Sequence, residues 1–401
     1  MTELTPAVVL SHGPGGLGTV RSLARRRVKV TVIVFEDSDP VLYSRYPFNK
    51  ILVPGDDDQL KEAQLLRILG SLPENDAVII TTSDRLVSLV SDHEAELCSK
   101  FRINMPPASL LDALNDKRKE TELIRSLGFA IPKTVTELPD ESKSLAKELR
   151  YPIIFKPHRF SVEHIFPDKN AIVRNFGELE YFYDKWQHAL SVLIAQEVIP
   201  GPDSASWICS CTFDDRHRLM ECGIKQKLRA LPAHFGGSTF AISKHNSEIL
   251  NLAKGIGRQL HYIGHAGIEF RWDHRDEEYK YIELNPRIPA NVGFDEACGL
   301  PTVWNTYKVS LGESLDHVPK RQKDGIYYLD MKGDLISMLA DKTPIPTILM
   351  TFIRLLFFNP TSGPYFAWSD PMPGIIVARR FLRTVLVWML KKLRNRVSRG
   401  H

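Results

Sequence analysis

The sequence predicts an α/β protein of several domains, and three observations carry that expectation. Short apolar strands alternate with helix-like stretches through the first third; a hairpin with one polar face follows in the middle; a basic amphipathic helix lies near the C-terminus. At roughly 100–200 residues per domain, 401 residues correspond to two to four domains. Hydrophobic residues make up 43% and charged residues 25%, values that exclude collagen-like, mucin-like and wholly disordered chains. A chain of this length buries enough core to fold without a disulfide or metal staple.

Pro6-Ala-Val-Val-Leu10 is the first strand, and the glycine-rich run Ser11-His-Gly-Pro-Gly-Gly-Leu-Gly18 leads into a helix ending near Arg27. Lys29-Val-Thr-Val-Ile-Val-Phe35 is the second strand, closed by Glu36. Asp76-Ala-Val-Ile-Ile-Thr81 is another, with a helix starting at Asp84. This alternation predicts a parallel sheet. Gly13, Gly15 and Gly18 match G-x-G-x-x-G, and Glu36 lies 18 residues beyond Gly18, which together suggest a dinucleotide-binding turn and an NAD(P)-dependent oxidoreductase. The bland reading is a tight strand-to-helix turn, and Pro14 lacks an N–H to offer a phosphate. Arg25, Arg26 and Arg27 suit a helix C-terminus.

Asn115 or Asp116 is a good helix cap before Lys117, with Gly128 as the stop. A cation in the first turn is mildly unfavourable, so Lys117 is better explained by an anionic partner than by helix stability. Lys156 emerges from the apolar strand Ile153-Ile-Phe155. Gln196 and Glu197 end a second strand, and the following Val198-Ile-Pro-Gly-Pro-Asp203 turn brings Asp203 six residues past Glu197. Such a strand end can meet a purine edge and offer a carboxylate to a ribose.

The strongest constellation is Gly267-Ile-Glu-Phe-Arg-Trp-Asp273, a polar turn, and Tyr279-Lys-Tyr-Ile-Glu-Leu-Asn-Pro-Arg287. Alternation puts Glu269 and Arg271 on one face of the first strand, and Tyr281, Glu283 and Asn285 on one face of the second. A turn centred on Asp276 sets Glu269 opposite Glu283. Opposed carboxylates have Cβ atoms about 4.5–5.5 Å apart and require a proton or a cation. With the amide oxygen of Asn285 they form a hard-oxygen set suited to magnesium, and Arg287 reaches the same space.

These residues resemble the ATP-grasp superfamily. Lys117, Lys156, QEVIPGPD, GIEF and IELNPR occur in that superfamily's order over roughly residues 1–315. Within it the chain is similar to carboxylate–amine ligases, including D-aspartate ligases, in GIKQKLRALPAHFGGSTF and NPRIPANVGFDEACGLP. The resemblance implies a Rossmann-like pre-ATP-grasp domain over residues 1–112. An ATP-grasp domain over 113–315 would follow, its small lobe at 113–200 and large lobe at 201–315, and a helical C-terminal extension would occupy 316–401. It implies that Lys117 and Lys156 contact ATP phosphates, that Gln196, Glu197 and the Val198 backbone meet adenine, and that Asp203 meets the ribose. Glu269, Glu283 and Asn285 would hold magnesium, or manganese in its place. Arg287 would steady the acyl phosphate or substrate carboxylate, and Lys225 and Arg229 would face the triphosphate or the acid. The implied partners are a small carboxylic acid, such as an amino acid, and an amine. A non-catalytic nucleotide-binding module is the remaining alternative. One departure stands out: Pro157-His-Arg-Phe-Ser-Val-Glu-His-Ile-Phe166 has no glycine where many members place a phosphate-covering loop. His158 and His164 read as surface residues, and a lid there would rely on Arg159 or His158.

Cys98, Cys209, Cys211, Cys222 and Cys298 include no C-x-x-C pair, so buried thiols in a reducing compartment are expected. Cys209 and Cys211 share a face, with no zinc set evident around them. The N-terminus shows no secretory signal, and no run of 18 apolar residues predicts a membrane span, so a cytoplasmic protein is expected. Residues 374–401 carry eight Lys and Arg and no acid. The chain is +4 overall and this tail is +8, leaving −4 for the rest, a poor general surface for nucleic acid. Ile345–Phe358 reads as a buried or interfacial helix. The helix after Asp370 sets Phe381, Val385, Trp388 and Met389 on one face, with Arg380, Arg383 and Lys391 elsewhere. It suits either peripheral contact with anionic lipid or docking on the body.

Overall fold

The structure is a computed structural model describing residues 3–55, 57–162, 164–166, 168, 170–232, 236–315, 321–358 and 360–397, with side chains left aside at Asp58, 356–358 and 385–397. It is mixed α/β, as the sequence predicts. β1 (Ala7–Ser11), β2 (Val30–Val34), β3 (Asn49–Leu52), β4 (Ala77–Thr81) and β5 (Phe101–Arg102) form a parallel sheet in the order β3-β2-β1-β4-β5. Every residue of β1 and β2 is buried, as in sheets covered on both faces. Helix α1 (Gly13–Arg25) follows β1, and α2 (Asp84–Asp92), capped by Ser83, follows β4.

The glycines of the first turn are explained by packing. A Cβ at Gly16 would lie 1.8 Å from Ser11 Oγ, and one at Gly18 2.8 Å from Val292 Cγ1. A Cβ at Gly15 would come within 3.2 Å of the Pro289 carbonyl oxygen. Bare backbone at these positions lets α1 press on β1 and on the segment after Asn285.

A second, antiparallel sheet has the order β6-β9-β7-β8, from β6 (Thr134–Val135), β7 (Ile153–Pro157), β8 (Ala171–Val173) and β9 (Leu193–Glu197). It has its own core, in which Phe155 and Phe182 stack with ring centroids 3.9 Å apart. Helix α3 (Lys117–Ser126) precedes it. Asp116 caps α3 by accepting from the Arg118 and Lys119 amides, and Gly128 takes φ +80° at its end.

The third sheet is the largest. It comprises β10 (Ser206–Phe213), β11 (Leu219–Leu231), β12 (Gly237–Ser243), β13 (Gly264–Asp273), β14 (Glu278–Asn285), β15 (Tyr327–Leu329) and β16 (Thr361–Ser362). Their order is β14-β13-β10-β11-β12-β15-β16. Its apolar face packs on α4 (Ser247–Gln259) through Phe213, Ile256, Ile268 and Phe270. The segment beyond residue 316 is more than a helical appendage, because β15 and β16 extend this sheet. Strands of three and two residues leave no periodic signal in a sequence. Around them lie α5 (Met331–Ala340), α6 (Ile345–Phe358) and α7 (Met372–Val397). Among the described residues no helix is long and apolar enough to cross a membrane. The expected α7 face at Val385, Trp388 and Met389, and Lys391, lie outside the residues whose side chains are described.

Cys209 and Cys211 are fully buried, and Cys222 pairs across from Cys211, so that the three sulfurs lie within 4.8 Å of one another. Cys222 thus completes a thiol triad that sequence spacing hides. Burial and the neighbouring thiols hold Cys211 well above the ordinary thiol range. Cys98, expected to be buried, is exposed.

The C-terminal segment is locked to the first domain by one buried ion pair. Arg21 Nε donates to Asp370 Oδ2 at 2.9 Å, Ser44 Oγ donates to the same oxygen at 2.7 Å, and the Arg45 amide donates to Asp370 Oδ1 at 3.1 Å. Removing one partner of a buried pair leaves the other uncompensated. Asp370→Ala should cost about 3–5 kcal/mol of stability, read by urea unfolding; an unchanged midpoint would show the pair to be dispensable.

Candidate active site

The hairpin β13–β14 sets Glu269 directly opposite Glu283. The next pair is Phe270 with Tyr281, so the ladder steps over Ile282 in a bulge. One extra residue inverts the alternation beyond it. Tyr281 therefore enters the core, 3% exposed and edge-on to Phe270, while Ile282 faces the cleft beside Glu283. The expected grouping of Tyr281 with Glu283 and Asn285 is corrected accordingly.

A cleft of 1510 Å³ lies between the four-stranded lobe, the hairpin and the first domain. Lys117, Lys156, Gln196, Glu197, Val198, Glu269, Glu283 and Asn285 all border it. Lys117 opens α3, its backbone amide donating to the His158 carbonyl at 2.8 Å. Lys156 Nζ donates to Gln196 Oε1 at 3.1 Å, and Gln196 Nε2 donates to Thr134 Oγ1 at 2.8 Å. Burial, then the charge of Lys117, lowers the Lys156 ammonium to about 8.

The two opposed glutamates differ in environment. Burial pushes Glu269 up, aided by the charge of Glu283 and opposed by Lys227, whose Nζ lies 2.8 Å from Glu269 Oε1. Burial also acts on Glu283, but Lys117, the amide of Asn285, Lys156 and Lys227 outweigh it and hold that carboxyl below its ordinary range. Asn285 Nδ2 donates to Glu283 Oε1 at 3.1 Å. Arg287 Nη2 donates to Asn285 Oδ1 at 3.3 Å, and its Nε to Asp84 Oδ1 at 2.9 Å. Two carboxylates and an amide oxygen, with ammonium groups drawn toward them, are a donor set that fits a hard divalent cation.

Other expected residues sit elsewhere. Lys225 Nζ donates to Asn291 Oδ1 at 2.6 Å, away from the main cleft wall. Arg229 makes a two-pronged pair with Asp334, at 2.7 and 2.6 Å, and stacks over Phe240. The register shifts between Lys227 and Arg229, and Arg229, expected to face the triphosphate or the acid, is not among the residues that border the cleft. Asp203 Oδ2 accepts from the Ala230 amide at 2.9 Å. The Glu197 carboxylate turns to Arg150 and Arg275, and the Val198 amide is spent on the Pro152 carbonyl at 2.9 Å. A purine at this strand end would therefore need backbone groups other than the Val198 N–H.

The glycine-free loop is fastened at its base. Arg159 Nε donates to Asp116 Oδ2 at 2.6 Å and its Nη2 to Asp112 Oδ1 at 2.9 Å, with His158 Nδ1 3.2 Å from Asp116 Oδ2. In the first domain the amide of Gly13 donates to Asp39 Oδ2 at 3.0 Å, and that of His12 to Thr82 Oγ1 at 2.7 Å. A protein carboxylate thus fills the place where a dinucleotide reading would put phosphate, and Glu36 pairs with Lys61.

Three residues of the site are absent from the sequence reading. For Lys227 a signal existed, since alternation from Lys225 puts it on the same face. Glu120 is buried beneath the cleft, where its Oε1 accepts from Tyr281 Oη and, at 3.0 Å, from the Leu284 amide. His265, 5% exposed with neither ring nitrogen bonded, borders a small pocket with Arg287. Burial and the charges of Lys225 and Arg287 lower it to about 3, so it is neutral.

Residues 235–318 match the family described as carbamoyl-phosphate synthase L chain, ATP binding domain. D-aspartate ligase of Enterococcus faecium is 27% identical over 265 residues, covering 62% of this chain and 62% of that protein. The chain therefore spans under two thirds of that relative's length. Biotin carboxylase of Campylobacter jejuni has a similar structure, with TM-score 0.65 at 15% identity over 81% of this chain and 74% of that one. N5-carboxyaminoimidazole synthetase of Staphylococcus aureus gives TM-score 0.61 at 16% identity over 81% and 82%. GIEF and IELNPR lie within the matched residues, and the fold is shared with that biotin carboxylase and that synthetase.

Burial, against the pull of Lys117, raises the Glu120 carboxyl to about 7 from 4.5. A raised acid makes its full contribution to stability below pH 4.5 and loses it as pH rises toward 7, on the order of 3 kcal/mol. Both bonds to Glu120 end on Oε1, so Glu120→Gln keeps them. The variant should flatten this part of the stability–pH curve; an unaltered curve would place the titration elsewhere.

Proposed function

We propose that this chain, with its ATP-grasp fold and its sequence likeness to D-aspartate ligase, is an ATP-dependent carboxylate–amine ligase of the cytoplasm. The observation that carries the reading is the convergence of Lys117, Lys156, Glu269, Glu283 and Asn285 on one cleft. Its substrates are a small carboxylic acid, of the amino-acid class by likeness to that relative, and an amine.

A carboxylate is a poor acyl donor. An acid oxygen displaces ADP from the γ-phosphorus of ATP, giving an acyl phosphate in which phosphate can leave. The amine then attacks the carbonyl carbon, its lone pair forms the C–N bond, and phosphate departs with the C–O pair while the amine proton passes to solvent. Products are an amide, ADP and phosphate. Lys117 and Lys156 offset the charge on the transferring phosphoryl group. Glu269, Glu283 and Asn285 would hold magnesium, or manganese, which would supply further charge neutralisation. Arg287, braced by Asp84 at the seam with the first domain, steadies the acyl oxygen. Lys225, whose charge reaches His265 together with that of Arg287, would meet the acid, and Asp203 would meet the ribose. Positioning of the substrates in a closed, water-poor cleft supplies much of the rate.

A screen of acids against amines with magnesium and ATP, read by phosphate and ADP release, tests the proposal. ATP binding without ADP release across the panel would favour a nucleotide-binding module, and binding of NAD in place of ATP would favour an oxidoreductase. Glu283→Gln should remove most magnesium-dependent turnover with little change in unfolding midpoint; retained turnover removes the metal assignment. Since Lys156 titrates near 8, ATP affinity should fall by up to about tenfold per pH unit above that value. Lys156→Arg should flatten the profile, and a wild-type profile already flat between pH 7 and about 9 would move that lysine off the phosphates.

A further inference from the structure

Helix α6 carries a row of apolar side chains on its outer face. Ile345 is 74% exposed, Leu349 61%, Met350 66% and Ile353 39%. The opposite face is what packs: Ile348 and Leu355 are buried, the latter with Phe240 and Leu329 of the large sheet. Ile345, Leu349 and Ile353 recur every fourth residue, so the outer row is a continuous stripe rather than scattered exposure. Beyond β16 a turn presents Phe366, 48% exposed, and Trp368, 92% exposed, with their rings 5.1 Å apart.

The aromatic turn adjoins the basic helix. A Cβ at Gly374 would lie 2.9 Å from Phe366 Cα, so the aromatic turn rests on the first turn of α7. Lys332 Nζ of α5 sits 5.9 Å from the Phe381 ring of α7. Helix α7 is itself held to the first domain, Arg380 donating to the Ser38 carbonyl and to Tyr43 Oη. Arg379, Leu382 and Arg383 are exposed. From Thr343 to the C-terminus the chain has nine Lys and Arg and one acid, Asp370. That carboxylate is buried against Arg21, so none of its charge faces outward.

We propose that the protein docks on an anionic lipid bilayer through its C-terminal segment, with the α6 stripe and Trp368 entering the headgroup boundary and the basic α7 meeting the lipid phosphates. A large exposed apolar stripe is a liability in water and an anchor in an interface. Cationic charge in a segment whose one acid is buried selects a negative surface over a neutral one. Tryptophan at 92% exposure is suited to the boundary, where an apolar ring and an N–H donor are both satisfied. The proposal concerns only the outer surface, so it stands or falls separately from the ligase reading.

The test is co-sedimentation of the full chain with vesicles of phosphatidylcholine alone or mixed with phosphatidylglycerol, at low and high salt. Binding should require phosphatidylglycerol and weaken with salt. Leu349→Asp with Met350→Asp should lower partitioning at least tenfold. Brominated acyl chains should quench tryptophan fluorescence in the wild type and much less in Trp368→Phe. Unchanged thermal midpoints in these variants establish that the fold is retained; Arg379→Glu with Arg383→Glu provides an independent variant on α7. Absence of binding to phosphatidylglycerol vesicles at low salt overturns the proposal. So does wild-type partitioning by the α6 variant, or self-association through this segment, seen by sedimentation, with no vesicle binding.

Discussion

The carboxylates of Glu269 and Glu283 face each other across two antiparallel strands, and much of the site is arranged around that repulsion. Like charges so placed in a buried setting are costly unless cations surround them. Lys227 meets one glutamate directly, while Lys117 and Lys156 lower the other from across the cleft. The same geometry that makes the pair expensive alone makes it receptive to a divalent ion. The bulge after Glu269 matters for this reason: it keeps the acids paired while sending Tyr281 inward, where its hydroxyl meets Glu120.

Much of this was legible in the sequence because it rests on local periodicity. The strand–helix alternation of the first domain, the cap at Asp116, the stop at Gly128 and the pairing of Glu269 with Glu283 follow from spacing and residue type. What escaped depends on contacts between distant segments. Glycines that resemble a dinucleotide loop are needed because Val292 and Pro289, far along the chain, approach α1. Arg229 is claimed by Asp334, and the Val198 amide by Pro152. The bulges at Ile282 and near Arg229 break strict alternation, the assumption on which facing was inferred. Strands as short as β15 and β16 carry no pattern to detect.

The C-terminal segment combines two properties that composition alone describes only in part. Its basic charge is visible by counting. Its exposed apolar stripe is not, because whether Leu349 or Ile348 points outward depends on which side of α6 meets the large sheet. The structure turns Ile348 and Leu355 inward, leaving the stripe exposed.

The bond between Arg21 and Asp370 brings the far end of the chain back onto its first helix. Together with the close seating of α1 on Val292, it makes a closed frame of the first domain, the seven-stranded sheet and the tail. The four-stranded lobe enters that frame by one span of polypeptide and leaves by another, so it is the arm that would move, giving up contacts such as that of Arg275 with Glu197. Opening and shutting around a guest would then cost little elsewhere, and the frame would stay square while the arm moves.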